Sequence, residues 1–259
     1  MAIVQTHATD LERASTQYWS ITDASQTGLD IATDFTFEGW GRLESLPTGL
    51  NYTIVSKWSS GANRSYIFSY SSTSLRLVIF DGSAASEQTV AFTASIETWY
   101  HLAVSYDVSA GEAKFYVNGS QQGATQGSGK TTINTGAADF AVGDDANTGS
   151  GWDGELKDIR VWSDIRTEAE INANKDNCNL SVSEAGLVSW WAFNNDGTDE
   201  NANGNDLTNN NTATFVTELP YTCPIGPANL KTWNTITPST IKTRNTVAIA
   251  NVKTANTVT

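Results

Sequence analysis

The residues best suited to catalysis in this sequence are its histidines and one pair of acids. His101 follows Trp99 and Tyr100 in the segment ETWYHLAVSYD, and the other histidine, His7, lies far away along the chain. A histidine without a second one nearby is a weak candidate for a metal ligand or a general base. We therefore expect His101 to be structural, packed among the apolar side chains of its strand, with Trp99 among them.

Glu155 and Asp158, in the segment GELKDIRVW, come closest to the paired carboxylates of a glycosidase. In a retaining enzyme the two carboxyl groups lie about 5–5.5 Å apart, so on one strand they must occupy alternate positions. Glu155 and Asp158 are three residues apart, which on a regular strand points them to opposite faces. The chain also lacks a Gly-x-Ser-x-Gly motif and a Cys–His arrangement for nucleophilic catalysis. These patterns predict a protein that is not an enzyme.

Two acidic loops could bind calcium through oxygen ligands. In DENANGND (199–206), oxygen-bearing side chains alternate before a glycine that permits a sharp turn, as in the first half of a calcium loop. The twelfth position is Asn210 instead of glutamate, so the loop is not an EF-hand, and a turn that needs no ion is the alternative. The second loop is GDDANTGSGWDG (143–154). The candidate calcium ligands in the two loops are Asp199, Asn201, Asn203, Asn205, Asp144 and Asp145.

The nine tryptophans indicate a further kind of site, because a flat indole can stack on the apolar face of a sugar ring. Two of them lie in loops and are candidate ligand contacts. Trp58 lies in SKWSSGANRSY, beside Asn63 and Arg64, and Trp152 lies in GSGWDG. Most of the others lie within strand patterns and are expected to fill the core: Trp40, Trp99, Trp162, Trp190 and Trp191.

The elements that must position these residues are short strands. Apolar or alternating runs recur between clusters of Gly, Asn, Asp and Ser, and only 17% of the residues are charged. One helix of about two turns is predicted at TEAEINAN, where Thr167 and Glu170 match a capping box. These patterns predict an all-β sandwich with strands at 16–21, 34–43, 52–58, 65–70, 74–80, 87–92, 99–106, 113–118, 138–143, 155–163, 186–193 and 213–217.

Charge separates an acidic body from a weakly basic C-terminal stretch. The formal net charge is −13, yet residues 227–259 contain basic residues and no acid. Phosphate backbones repel so acidic a body, which argues against nucleic acid as a partner.

The N-terminal sequence MAIVQTHATDLERAS has no basic region followed by an apolar run, so no Sec signal is predicted. Nowhere do 18 apolar residues occur together, so no membrane span is predicted either. Cys178 and Cys223 are the only cysteines. A disulfide between them and two unpaired thiols are both compatible with the sequence.

The composition changes after residue 223, where a seven-residue pattern recurs every 11 residues as LKTWNTI, IKTRNTV and VKTANTV. Alternate residues of each copy lie on one face of an extended strand. We predict an arm over 223–259 that docks on another chain or oligomerises by β-pairing; a disordered tail is the alternative. The apolar ends of the three copies are Leu230, Ile236, Ile241, Val247, Val252 and Val258.

Several segments resemble, in order, the strands of laminin-G-like jelly rolls in the concanavalin A-like lectin and glucanase superfamily. The resemblance covers most of residues 5–175. Residues 186–216 resemble strands that open the same family's domains, and about 31 residues are too few for a second sandwich. The resemblance therefore implies one antiparallel two-sheet jelly roll over 1–222, with 186–217 supplying closing strands in a permuted order. The matching segments are DFTFEGW (34–40), WYHLAVSYD (99–107), KFYVNGSQQG (114–123), FAVGDD (140–145) and WDGELKDIRVWSDIRTEAEI (152–171).

The resemblance also implies a function. Related domains often hold calcium at a sandwich rim, which favours the loop at 143–154 as a calcium site. We expect a non-enzymatic binding or adhesion protein that recognises a glycan or a cell-surface polysaccharide through rim loops. The arm indicates attachment to other structural chains or a homo-oligomer, as in a bacteriophage capsid decoration or fibre head, placing the protein outside the cell or on a virion surface. The alternatives are a purely structural virion protein and a polysaccharide-degrading enzyme or its detached binding module.

Overall fold

The computed structural model describes residues 5–144, 149–178 and 180–222. Within them the chain forms fifteen strands and one α-helix. The strands are β1 (Ala8–Leu11), β2 (Tyr18–Ile21), β3 (Phe35–Leu43), β4 (Tyr52–Trp58), β5 (Arg64–Tyr70), β6 (Ser74–Phe80), β7 (Ala85–Ala91), β8 (Trp99–Asp107), β9 (Glu112–Val117), β10 (Ser120–Gly127), β11 (Phe140–Val142), β12 (Gly154–Trp162), β13 (Leu187–Trp191), β14 (Thr208–Asn210) and β15 (Thr214–Val216). The helix is α1 (Glu168–Asn174).

The strands form two antiparallel sheets. Sheet A has the order β10-β9-β8-β3-β12-β1-β15, with β13 also paired to β12. Sheet B has the order β14-β2-β11-β4-β5-β6-β7. The predicted all-β, two-sheet jelly-roll sandwich is therefore confirmed, and every segment predicted as a strand contains one.

The strands that sequence reasoning missed, β1, β10 and β14, have the polar sequences ATDL, SQQGATQG and TNN. Two of them, β10 and β14, are edge strands. An edge strand needs little apolar surface, so apolar alternation could not reveal these two. Residues 186–217 supply strands to both sheets, because β13 pairs with β12, β14 with β2 and β15 with β1.

The main core lies between the sheets and follows the alternation of the strands. Phe35 and Phe37 of β3 face Val104 and Tyr106 of β8, and the ring of Tyr66 from sheet B lies 4.9 Å from that of Phe37. All five side chains are fully buried. Each apolar side chain removed from water in this way contributes about 1.5–3 kcal/mol to stability.

A second layer covers part of the outer face of sheet A. It includes α1, whose capping box at Thr167 and Glu170 is confirmed, and one apolar cluster there contains Trp162, Leu180 and Trp190. Strands β3 and β12 are consequently buried on both faces. Trp162 and Trp190 are buried as expected, but beneath this layer and not between the sheets.

Some predictions concern residues outside the described ranges. These are the arm at 223–259, the candidate ligand Asp145 and Cys223. Cys178 itself is disulfide-bonded. Among the described residues, no helix is long and apolar enough to cross a membrane.

Candidate functional site

The turn between β4 and β5 brings together three of the predicted ligand contacts, Trp58, Asn63 and Arg64, which we call the rim site. Trp58 and Arg64 are directly opposite in the two strands, and the Arg64 guanidinium lies 5.3 Å from the centre of the indole. Arg64 Nε also donates to the Ser59 carbonyl oxygen at 3.1 Å. Trp58 is half-buried and Asn63 is exposed. The rim site therefore presents an aromatic ring, an amide and a cation at one end of sheet B.

Trp152, the fourth predicted ligand contact, is buried in the core with 1% of its surface exposed. Its Nε1 donates to the Arg42 carbonyl oxygen at 3.3 Å. The indole lies so close to Gly41 that a Cβ there would come within 2.6 Å of it. A sugar ring cannot reach this indole, so the prediction that Trp152 contacts a ligand is wrong.

The loop at 199–206 is held by hydrogen bonds among its own polar groups. Asp199 Oδ1 accepts the backbone N–H groups of Trp190 and Asn201 at 2.9 and 3.0 Å, and Asp199 Oδ2 accepts that of Asn205 at 3.1 Å. The Asn205 side chain, fully buried, bonds the backbone N–H of Thr27 at 2.6 Å. Asn203 Nδ2 donates to the Val188 carbonyl oxygen. These bonds are what a turn without an ion requires, and calcium at this loop stays a prediction.

The second predicted calcium loop is described only in part. Asp144 is buried, and its backbone oxygen accepts the Ser56 hydroxyl at 2.8 Å. Asp145 lies outside the described residues. Across the ranges that the structure describes, no group of three or more His, Cys, Asp or Glu side chains is arranged to hold a metal ion.

His101 belongs to a group that we call the covered cluster: Glu38, His101, Arg160 and Trp162 on the outer face of sheet A. His101 Nε2 lies 3.3 Å from Glu38 Oε2, and Trp162 Nε1 donates to Glu38 Oε1 at 2.9 Å. Burial alone would raise the pKa of Glu38, but His101 and the charge of Arg160 outweigh it and lower the pKa to about 2. All four side chains are buried, so the structure gives His101 a structural environment.

Trp99, expected beside His101 in the core, is instead only half-buried. Leu102, Val104 and Tyr106 face the core, so the alternation of β8 places Trp99 and His101 on the opposite, outer face of sheet A. The expectation is wrong because the odd spacing between Trp99 and Leu102 places the two side chains on opposite faces of the strand.

Glu155 and Asp158 do not point to opposite faces as predicted, because β12 carries a bulge. The register shifts between Lys157 and Arg160, and Asp158 has a φ of 50°. A bulge inserts one residue and reverses the alternation beyond it. Asp158 therefore accepts the Trp190 indole N–H at 2.8 Å in the outer layer, while Glu155 bonds Arg42. Both acids thus lie on the outer side of sheet A, with different hydrogen-bond partners.

Sequence reasoning missed a line of side chains across sheet A, which we call the cross-strand row: Trp99, Arg42, Glu155, Asp10 and Thr214. Each is directly opposite the next in the antiparallel register. Residues directly opposite each other share a face, so the row lies on the outer face, beside the covered cluster. Only the pairing of five strands from distant parts of the chain creates it, and no local sequence signal could have predicted it.

A family model for laminin G-like domains, described as the concanavalin A-like lectin/glucanases superfamily, matches residues 13–172. That range is more than half of the chain, and the protein belongs to this family. None of the curated proteins matches the sequence.

Solved structures share the fold at low sequence identity. A candidate carbohydrate-binding protein from Bacteroides ovatus ATCC 8483 is 21% identical with a TM-score of 0.64, over 83% of this chain and 60% of that one. This chain thus corresponds to less than two thirds of that protein. The heptameric SAP-like pentraxin from Limulus polyphemus is 16% identical with a TM-score of 0.55, over 85% of this chain and 92% of that one.

Proposed function

We propose that this protein is a non-enzymatic carbohydrate-binding module and that the rim site contacts the sugar. The observation that carries the proposal is the grouping of Trp58, Asn63 and Arg64 on one turn. Six of the eight tryptophans in the described ranges are buried; Trp58 is one of the two that reach the surface. An indole that is partly exposed beside hydrogen-bonding side chains offers both the stacking face and the polar partners that a sugar requires.

The finer part of the proposal concerns where the protein acts. A lectin-like head with a repetitive, strand-forming C-terminal arm fits a protein displayed outside the cell on a larger assembly, such as a capsid decoration or fibre head of a bacteriophage. The arm at 223–259 then attaches the head to other chains by β-pairing. Support comes from the repeat pattern of the arm and from the family's fold.

A purely structural virion protein remains the second candidate. It is favoured by the stacking of the Arg64 guanidinium on Trp58, because that contact occupies part of the indole face that a sugar would use. The two candidates differ in one observable property, which is the binding of free saccharides by the head.

A glycan array with the full chain, with and without EDTA, tests the proposal. We expect binding that Trp58→Ala and Arg64→Ala each abolish and that Arg76→Ala, an arginine paired with Glu87 elsewhere on sheet B, leaves intact. Loss of binding in EDTA supports the calcium prediction. Binding to no glycan under either condition favours the structural candidate, and release of new reducing ends from a polysaccharide contradicts the non-enzymatic assignment.

The arm is tested by comparing the size of the full chain in solution with that of a chain ending at Pro224. We expect the full chain to self-associate or to bind an assembly partner, and the shortened chain to do neither. If both chains are monomers and neither binds a partner, the arm has no role in assembly.

A further inference from the structure

Exposed apolar side chains collect at the end of the sandwich opposite the rim site. Within the described ranges, the exposed large apolar side chains are Leu46, Leu50, Ile96, Ile165 and Val182. The first three belong to the loop between β3 and β4 and to the loop between β7 and β8, and we call them the apolar patch. Single exposed apolar residues need no explanation, but several at one place indicate contact with another molecule.

Two contacts hold these loops at the same end of the sandwich. The backbone N–H of Glu97 donates to the Leu43 carbonyl oxygen at 2.7 Å, and that of Ala94 donates to the Tyr70 hydroxyl at 3.0 Å. Tyr70 is directly opposite Tyr52, the residue with which β4 begins. Strand β4 runs from this end to the rim site, and its seven residues separate the two by roughly 20 Å.

Acidic side chains lie around the apolar patch. Glu44 and Glu97 are exposed in its two loops. Partial burial and the like charges of Asp10, Glu12 and Asp153 raise the pKa of Glu44. These five carboxyl groups are therefore close enough to one another to interact, and they make this end of the molecule both apolar and acidic.

The cations at this end are two arginines, and both have partners. Arg42 is buried and pairs with Glu97 and Glu155. The Arg13 guanidinium lies 5.7 Å from the centre of the Tyr52 ring. The acids outnumber these two cations, so the surface around the patch carries a negative surplus. A partner that fits it must be both apolar and basic.

The C-terminal arm has the composition that this surface requires. Every charged side chain within residues 227–259 is basic. Lys231, Lys242 and Lys253 each follow directly the apolar residue that opens a copy of the repeat. The loops of the apolar patch likewise carry acids beside apolar residues. Complementary charges of this kind select a partner and set its position on the surface.

The course of the chain before the arm favours the arm of a second copy over the chain's own arm. Glu218 Oε2 lies 3.7 Å from Arg42 Nη2, and three residues later the ring of Tyr221 lies 5.8 Å from that of Trp40. Trp40 is farther than Arg42 from the loop that follows β3. The chain is thus heading away from the patch where the arm begins, and its own arm would have to turn back to reach it.

We propose that the apolar patch is the docking surface for the C-terminal arm of a second copy of this chain. The arm's apolar residues cover the patch, and its lysines face the surrounding acids. Such a contact is heterologous, so the copies join head to tail into a ring or a filament. The inference rests on the proposed function, whose arm it supplies with a partner, and it leaves the rim site at the other end free for a sugar.

Sedimentation equilibrium of the full chain tests the patch. The patch variant, Leu46→Asn with Ile96→Asn, removes two exposed apolar contacts and should weaken self-association about ten-fold or more. The matched control, Ile165→Asn with Val182→Asn, changes two similarly exposed residues elsewhere and should associate as the wild type does. Self-association of the patch variant at the wild-type level overturns the proposal, as does a wild type that is monomeric at every concentration.

Mixing two variants distinguishes docking between copies from docking within one copy. The patch variant keeps an intact arm, whereas the arm variant, Lys231→Glu with Lys242→Glu and Lys253→Glu, keeps an intact patch. Each alone should be monomeric. Their mixture should form pairs of one copy each and nothing larger, because a single matching contact is left. A mixture that stays monomeric overturns docking between copies, and an arm variant that associates like the wild type overturns the role of charge.

The glycan array separates this inference from the function on which it rests. The patch and arm variants should bind glycans as the wild type does, because the rim site lies at the opposite end. Glycan binding together with undiminished self-association of the patch variant overturns the inference alone. Loss of self-association in the patch variant, with no glycan bound by any of the chains, supports the inference and overturns the sugar-binding proposal.

Discussion

The covered cluster and the cross-strand row lie side by side on one face of sheet A, yet their central carboxyl groups behave in opposite ways. Glu38 and Glu155 are both nearly inaccessible to water, and they belong to adjacent strands, β3 and β12. The pKa of Glu38 is lowered to about 2, whereas that of Glu155 is raised to about 7. Burial raises the pKa of both carboxyl groups, so the difference between the two pKa values comes from the neighbouring groups.

The neighbours differ although both groups are buried. Glu38 accepts the Trp162 N–H, lies beside His101 Nε2 and pairs with the charge of Arg160. At Glu155 one cation, Arg42, is divided among several acids. A carboxylate that its own fold surrounds with donors stabilises the fold. A carboxylate left among like charges is the better candidate for contact with another molecule.

The largest effect is expected from Glu38→Gln, which removes the anion of the covered cluster. Breaking a buried ion pair leaves an uncompensated charge, here Arg160, and should cost about 3 kcal/mol of the free energy of unfolding at pH 7. Because the folded-state pKa is lowered, this contribution is present above about pH 4.5 and is lost as the pH falls toward 2. Urea unfolding across that range measures it.

The control for Glu38 is Glu87→Gln, which breaks the exposed pair with Arg76. Its cost should stay below about 1 kcal/mol. If Glu38→Gln and Glu87→Gln lower the free energy of unfolding equally, the covered cluster does not stabilise the fold more than an exposed ion pair does.

Glu155→Gln should have the next largest effect and the opposite sign. The raised pKa means that the folded state binds protons more tightly between about pH 4.5 and 7, so stability from this group falls as the pH rises through 7. A neutral amide should therefore stabilise the protein at pH 8 by about 1–2 kcal/mol and flatten the pH dependence between about pH 4.5 and 7. Destabilisation at pH 8, measured by thermal unfolding, would refute this account of Glu155.

Thr167→Ala should loosen the layer over the covered cluster and leave the cross-strand row unchanged. Thr167 Oγ1 accepts the Glu170 backbone N–H, and Glu170 Oε2 accepts the Thr167 backbone N–H at 2.8 Å. Loss of the cap should cost about 1 kcal/mol. Hydrogen exchange at the Trp162 indole should accelerate, with no change at Trp99. Equal acceleration at both indoles would show that the two regions are not independent.

Glu97→Gln should have the smallest effect. Glu97 bonds Arg42 but is 52% exposed, and exposed ion pairs contribute about 1 kcal/mol or less. We expect a change of less than about 0.5 kcal/mol at pH 7, measured by urea unfolding. A loss comparable to that of Glu38→Gln would mean that Arg42 is held mainly by Glu97, and the cross-strand row would then need a different description.

The sequence alone was sufficient for the sandwich, the capping box and most of the strands, because these follow from local alternation and local hydrogen bonds. It also grouped Trp58, Asn63 and Arg64, which lie within seven residues of one another. Sequence reasoning failed where contacts between distant parts of the chain determine the structure. Trp152 looks like a loop residue but packs on Gly41, and the bulge at Asp158 reverses an alternation that appears regular in the sequence.

The meeting of the five residues in the cross-strand row could not be predicted from the sequence. Thr214, Asp10, Glu155, Arg42 and Trp99 come from five strands spread over more than 200 positions of the chain. Their meeting depends on the register of four strand pairs, which hydrophobic patterns determine only once the topology is known. The raised pKa of Glu155 is a consequence of that meeting and has no counterpart in its local sequence.

Titration of the two carboxyl groups in one sample, by ¹³C NMR of the full chain with glutamate side chains labelled, tests the central contrast most directly. We expect Glu155 to titrate near pH 7 and Glu38 to remain ionised down to about pH 2. Two midpoints near the ordinary glutamate value of about 4.5 would contradict the account.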